Sequence, residues 1–298
     1  MAAVRNYVLR RCPVFLIIMR CFSIILLFLS AFLSLSAQTV DSVAVYSPAM
    51  QRDVKNVIIL PEDYDTAKQY PVLYLLHGYS KNEQVWLEIR PDLPRLASFH
   101  DMIIVCPDGR NSWYFNSPVD STSRYETYLS KELPQYMDSH YSTRANPQGR
   151  AITGFSMGGH GALYTAMRHQ DVFGACGSTS GGVDFRPFPE MWEIKDVLGE
   201  YYTAPQVWDE NTVMAQLPLV KSSLAIIFDC GNEDFFHDVN ERLHKEMEYR
   251  RIKHDYTCRP GIHDFNYWNL SIPHHLQFFD EYFNGKNTYE MKIRYTND

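Results

Sequence analysis

The 298-residue chain predicts an α/β protein with a mostly parallel central sheet and helices on both faces. Three observations carry this. Short continuous apolar runs such as Tyr70–Leu76 and Met102–Val105 are bounded by turn signals, as strands covered on both faces require. Stretches of helical pattern separate these runs, and strands alternating with helices build parallel sheets through crossover connections. The third is a glycine-framed serine, Gly154-Phe-Ser156-Met-Gly158, at a junction from strand to helix. A 45% hydrophobic composition without internal repeats supplies the core of one large domain.

Taken in order, Val43–Tyr46 and Asn56–Leu60 open the domain as two strands joined by a polar turn around Gln51-Arg52-Asp53. The strand Tyr70–Leu76 runs into His77-Gly78-Tyr79-Ser80. Leu93–Phe99 predicts a helix, and Met102–Val105 a buried strand that leaves through Cys106–Arg110. After an aromatic-rich loop at 111–120, Tyr125–Met137 reads as an amphipathic helix. Arg150–Thr153 is the strand before the serine and Gly161–Arg168 the helix after it. Residues 171–175 lead to a strand end at Gly177–Gly182. Residues 183–220 then break the rhythm with closely spaced Phe, Pro, Tyr and Trp, and are predicted to be a small insertion over the site. Ser223–Asp229 resumes the strands, Val239–Arg250 is a helix, His254–Cys258 the last strand and Trp268–Phe283 the closing helix.

The first 37 residues read differently. Arg5, Arg10, Arg11 and Arg20 precede the uncharged stretch Cys21–Leu35, which ends in Ser34-Leu-Ser-Ala-Gln38. A basic segment, an apolar segment and a small-residue exit predict a secretory signal cleaved after Ala37, with Met19 as an alternative start, and residues 38–298 as one mature domain. The apolar stretch is short for a span, which takes about 20 residues, so no stable membrane anchoring is expected after cleavage. Removing those four arginines, and no acidic residue, takes the formal charge from −7 to −11. So acidic a chain is a poor partner for nucleic acid or an anionic membrane. Oligomeric state is not legible. The remaining cysteines, Cys106, Cys176, Cys230 and Cys258, fit no zinc spacing and are expected as buried free thiols, with Cys230 and Cys258 the pair to test for a disulfide. No metal or cofactor is called for.

The serine turn carries the chemistry. A hydroxyl lifted above the end of a central strand, with its neighbours relieved by glycines two residues before and after, is the G-x-S-x-G arrangement of a nucleophile, and the helix that follows points its N-terminus at the oxygen. Ser156 needs a base and the base needs a carboxylate, each on a loop beyond the carboxyl end of a later strand. Of the histidines after the serine, only His263 in Gly261-Ile-His-Asp-Phe265 sits on a glycine-containing loop directly after the last strand. Asp234, just past Gly231, is the expected acid, with Glu233 beside it and Asp238 further on, while Asp229 falls inside the strand. The N–H groups of Met157 and Tyr79 are the expected oxyanion donors. His77 reads as structural, because it precedes the nucleophile.

Five blocks resemble one family of α/β-hydrolases: Leu75-Leu-His-Gly-Tyr79, Pro107-Asp-Gly-Arg110 with Ser112-Trp-Tyr114, Gly154-Phe-Ser-Met-Gly-Gly159, Gly231-Asn-Glu-Asp234 and Gly261-Ile-His-Asp264 before Trp268. They are similar, over roughly residues 45–285, to the esterase family that includes esterase D (S-formylglutathione hydrolase), feruloyl esterase modules, enterochelin esterases and the mycolyltransferases. The resemblance implies Ser156, Asp234 and His263 as the triad, Tyr79 and Met157 as the oxyanion hole, and Trp113 and Tyr114 bordering the substrate. Esterase D carries a cysteine close after its oxyanion motif, whereas residues 80–90 here hold none. The expectation is a secreted serine carboxylesterase acting on acetyl or hydroxycinnamoyl (feruloyl-like) esters on carbohydrate. Two alternatives stand beside it: an acyltransferase of the mycolyltransferase type, and a non-catalytic binding protein on a hydrolase scaffold.

Overall fold

In the computed structural model, which describes residues 40–286, the strand-forming runs assemble into one eight-stranded sheet. The strands are β1 (Val40–Ser47), β2 (Arg52–Ile59), β3 (Val72–Leu76), β4 (Ile103–Pro107), β5 (Arg150–Gly154), β6 (Ala175–Thr179), β7 (Ala225–Gly231) and β8 (Asp255–Arg259), in the order β1-β2-β4-β3-β5-β6-β7-β8. The β1–β2 and β2–β4 pairs are antiparallel and all others parallel. The signal segment expected at residues 1–37 lies outside the described residues.

Each residue of β3, β4, β5, β6 and β7 is buried, which explains why these strands read as unbroken apolar runs. Alternation still sorts their side chains. Val72, Tyr74 and Leu76 enter the apolar layer on one face, and Leu73 and Leu75 enter the layer on the other. The first layer packs against the helices Met157–Arg168 and His237–Tyr249, and the second against Leu93–Phe99 and Phe265–Phe283. Burying one such aliphatic side chain contributes about 1.5–3 kcal/mol. The edge strands differ: β1 buries only Val45 and Ser47, and no residue of β8 is fully buried.

Local differences from the expected elements have local causes. The helix after the serine begins at Met157, because the glycines that hide its periodicity are packed against the sheet. The helical run from Tyr125 extends to His140 and contains a π-wound turn at Tyr128–Glu132. A short helix at Val85–Ile89 was not expected. Residues 183–220 fold as three short helices, Ile194–Leu198, Pro205–Glu210 and Val213–Gln216, around the buried rings of Phe185 and Trp208. All four cysteines of the described residues are free, but Cys258 is exposed rather than buried, since β8 is an edge strand. Among the described residues no helix is long and apolar enough to cross a membrane.

Candidate active site

Ser156 stands between β5 and the helix Met157–Arg168 with φ 57° and ψ −121°, in the left-handed region that a residue with a Cβ avoids. The surroundings hold it there. Its N–H donates to the Thr179 carbonyl at 3.1 Å, and its own carbonyl accepts from Gly182 and His160, each at 3.1 Å. The turn is tight enough that a Cβ on Gly158 would lie 2.6 Å from the carbonyl oxygens of both Leu76 and His77, so glycine is required at that position. Ser156 as a whole remains partly exposed.

The loops beyond β7 and β8 bring the other two groups to it. His263 Nε2 lies 2.9 Å from Ser156 Oγ, and His263 Nδ1 lies 2.8 and 3.0 Å from the two oxygens of Asp234. A carboxylate can only accept, so Nδ1 carries the ring proton and Nε2 is left to accept from the serine. The Asp234 side chain is fully buried and held by the Phe236 N–H at 2.8 Å. Glu233 and Asp238 are exposed and stand apart from this arrangement. Asp229 is in β7, as expected, and belongs to a different cluster: it accepts from Thr179, Ser271 and His275. That cluster has the same residue types in the wrong order. The Ser271 hydroxyl donates to the carboxylate instead of facing the imidazole, and the His275 ring bridges Asp229 and Thr153 deep beneath helix Phe265–Phe283.

Beyond β3, the backbone of residues 78–79 passes directly over the serine. A Cβ on Gly78 would lie 3.2 Å from Ser156 Cβ and 2.4 Å from the Phe155 ring. Among the described residues neither the Tyr79 N–H nor the Met157 N–H donates to another protein group. His77 is buried and orders this loop. Its Nδ1 donates to the Gly78 carbonyl at 2.7 Å, and its Nε2 accepts from the Gly109 N–H at 2.7 Å. From the far side, Asn111 accepts from the Ser80 N–H and donates to Glu193, tying the loop to the 183–220 segment.

Trp113 and Tyr114 take other places than the substrate border expected of them. They are 1% and 0% exposed, both with positive φ. The Tyr114 hydroxyl is occupied by the backbone of His77, accepting from its N–H and donating to its carbonyl, each at 3.0 Å. Trp113 donates to the Trp192 carbonyl at 3.2 Å and packs on His160 and Phe185. Both rings are walls behind the site, because a loop that folds inward satisfies their polar atoms on backbone and leaves no face to the cleft. The aromatic surface beside His263 comes from Phe235, which the sequence reading did not single out, and from rings of the 183–220 segment expected over the site. Phe235, 48% exposed, lies 4.2 Å from the His263 ring, and Trp192 stacks on Phe235 at 5.4 Å. Phe188 and Phe236 close the cluster behind them, while Trp268 meets His263 edge-on from the opposite side at 5.0 Å. The adjacency of Phe235 to the acid was the one signal available in the sequence.

A hydroxyl that can pass its proton to a carboxylate-held imidazole, beside two undonated amides, is equipped for acyl transfer through a covalent intermediate. Comparison with known proteins gives the family. The Esterase family model, described as "Putative esterase", matches residues 47–279. The chain belongs to this esterase family. An esterase of Mycobacterium tuberculosis is 31% identical over 241 residues, covering 70% of this chain and 52% of the relative, so this chain spans about half the length of that protein. An acetyl esterase of Caldicellulosiruptor saccharolyticus is 23% identical over 257 residues, 79% of this chain and 96% of the relative. A solved ferulic acid esterase superposes with a TM-score of 0.71 at 28% identity, covering 83% of this esterase-family chain and 98% of its own. The fold of this family member is that of the α/β-hydrolases, as its five sequence blocks implied.

Proposed function

We propose that the chain is a serine carboxylesterase with Ser156 as nucleophile, His263 as general base and acid, and Asp234 as the group that orients His263. The observation that carries this reading is the continuous chain of hydrogen bonds from Ser156 Oγ through both nitrogens of His263 to Asp234, at 2.9 and 2.8 Å. Ser156 Oγ attacks the ester carbonyl carbon while its proton passes to His263 Nε2. The negative charge that forms on the carbonyl oxygen is met by the N–H groups of Tyr79 and Met157. As the tetrahedral centre collapses, His263 returns the proton to the departing alcohol. A water then enters, gives a proton to His263 and attacks the acyl enzyme, and as the acid is released His263 returns that proton to Ser156 Oγ.

The substrate class in this proposal is acetyl or hydroxycinnamoyl esters borne on carbohydrate. The Phe235 and Trp192 rings beside His263 are a surface on which an aromatic acyl group can stack, and the likeness to an acetyl esterase and a ferulic acid esterase supports the same choice. Export through a leader at residues 1–37, with residues 38–298 as the mature domain, belongs to the same proposal. The test is Ser156→Ala, which is expected to abolish hydrolysis of p-nitrophenyl acetate and labelling by a fluorophosphonate while the thermal midpoint stays within a few degrees. Undiminished turnover in that variant removes Ser156 from the role. Parallel assays on methyl ferulate and acetylated xylan identify the acyl group.

A further inference from the structure

Outside the cleft, three chemically different donors converge where the helix His237–Tyr249 meets the edge strand β8. His237 and Glu241 are four residues apart, so they share one face of that helix. Cys258 lies on β8 beside them. One ligand atom from each, an imidazole nitrogen, a carboxylate oxygen and a thiol sulfur, lies within 4.8 Å of the other two. His237 Nε2 is 3.9 Å from Glu241 Oε1. A tetrahedral zinc ion with bonds of about 2.0–2.3 Å sets its ligand atoms roughly 3.5 Å apart. The remaining difference is within the reach of side-chain rotation, because Cys258 is exposed and His237 and Glu241 are only half-buried.

The groups behind the donors are also in place. His237 Nδ1 lies 3.2 Å from the Asp238 carboxylate, which holds the ring proton there and leaves Nε2 as the lone pair that faces Glu241. The Tyr256 hydroxyl donates to Glu241 Oε1 at 2.7 Å and fixes that carboxylate toward the strand. We propose that His237, Glu241 and Cys258 form a structural zinc(II) site, with a water completing the tetrahedron from the solvent side. Imidazole and thiolate together select zinc over calcium or magnesium, which take oxygen ligands. Cysteine spacing could not reveal the site, since its ligands come from one helix and one strand rather than from a run of cysteines.

The placement gives the ion a consequence. The helix begins three residues after Asp234, and β8 ends four residues before His263. Tying helix to strand therefore tethers the bases of both connections that deliver the acid and the imidazole, and it does so at an edge strand with no fully buried residue. Cys230, the register partner of Cys258 on β7, is the competing fate of the same thiol.

The experiment uses the tag-free mature chain, purified under reduction, stripped by a chelator and titrated with Zn2+ in competition with a chromophoric chelator. One equivalent per chain is expected, with a raised thermal midpoint, and Co2+ in place of zinc is expected to show a sulfur-to-cobalt charge-transfer band. Cys258→Ser should abolish that band and weaken zinc binding at least tenfold, and Glu241→Gln should weaken it by about 10–100-fold. Absence of saturable binding, binding equally tight in both variants, or recovery of Cys258 in a disulfide with Cys230 from the native protein overturns the proposal.

Discussion

The Nδ1 atom of His77 lies 2.7 Å from the carbonyl oxygen of Gly78, the residue that follows it. Because the carbonyl can only accept and Nε2 already accepts from the Gly109 N–H, the ring is held as the neutral Nδ1–H tautomer. Pinning the Gly78 oxygen pins the whole Gly78–Tyr79 peptide plane, and with it the direction of the Tyr79 N–H. His77 is thereby a positioning residue for the proposed oxyanion hole. In His77→Leu, kcat is expected to fall by about 10–100-fold with KM changing little, since the lost contact acts on charge that exists only in the transition state. Steady-state kinetics on p-nitrophenyl acetate read this out, and a change confined to KM would count against it.

Asp234→Asn preserves shape but replaces an acceptor-only group with one that can donate to His263 Nδ1, which allows the wrong tautomer to face Ser156. A loss of roughly 10³–10⁴-fold in kcat is expected, with the fold intact by circular dichroism. The same change at Glu233, which is exposed, should leave kcat within about twofold.

Phe235 presents half its surface to solvent next to His263. If it stacks an aromatic acyl group, Phe235→Ala should lower kcat/KM for methyl ferulate by about 5–10-fold, the equivalent of about 1 kcal/mol, while hydrolysis of an acetyl ester changes by less than about twofold. Equal losses on both substrates would assign Phe235 to the support of His263 instead.

His160 lies buried in the helix after Ser156, and burial pushes its pKa down to about 4. In the unfolded chain it titrates near about 6.5. Between those values the unfolded state binds a proton that the folded state refuses, so the stability tied to a neutral His160 is whole above about pH 6.5 and drains away as the pH falls toward 4. The full effect is on the order of 3 kcal/mol. Denaturant unfolding at pH 7 and pH 4.5 measures it, and the drop is expected to be smaller in His160→Gln, which can still donate to the Asn211 carbonyl. Equal drops in both proteins would place the pH sensitivity elsewhere.

Strands buried on both faces were legible because burial leaves an unbroken apolar run, and the candidate site was legible where a loop directly follows such a run, as at His77, Ser156 and Asp234, while His263 follows the exposed edge strand β8 and was marked by its glycine-containing loop. What escaped depends on contacts distant in sequence. The five residues of Val85–Ile89 are too few to show a period, and no side chain caps their start. The first turn of helix Met157–Arg168 is hidden by glycines whose close packing, not their propensity, makes them helical. Trp113 and Tyr114 could not be separated into wall and binding surface without knowing that Tyr114 spends its hydroxyl on His77. Phe235 and Trp192 come from segments more than forty residues apart, so neither the adjacency of Phe235 to the acid nor the aromatic run at 183–220 shows that the two rings stack.

Asp234 and Phe235 are consecutive residues of one tight turn, one facing the imidazole with its oxygens and the other covering that imidazole with its ring. Lengthening or reshaping this turn to welcome a bulkier guest would drag the carboxylate out of line. Under the proposed function, a change of guest range would therefore come from the 183–220 segment, where Trp192 and Phe188 pack on Phe235 and Phe236 but do not themselves belong to the turn.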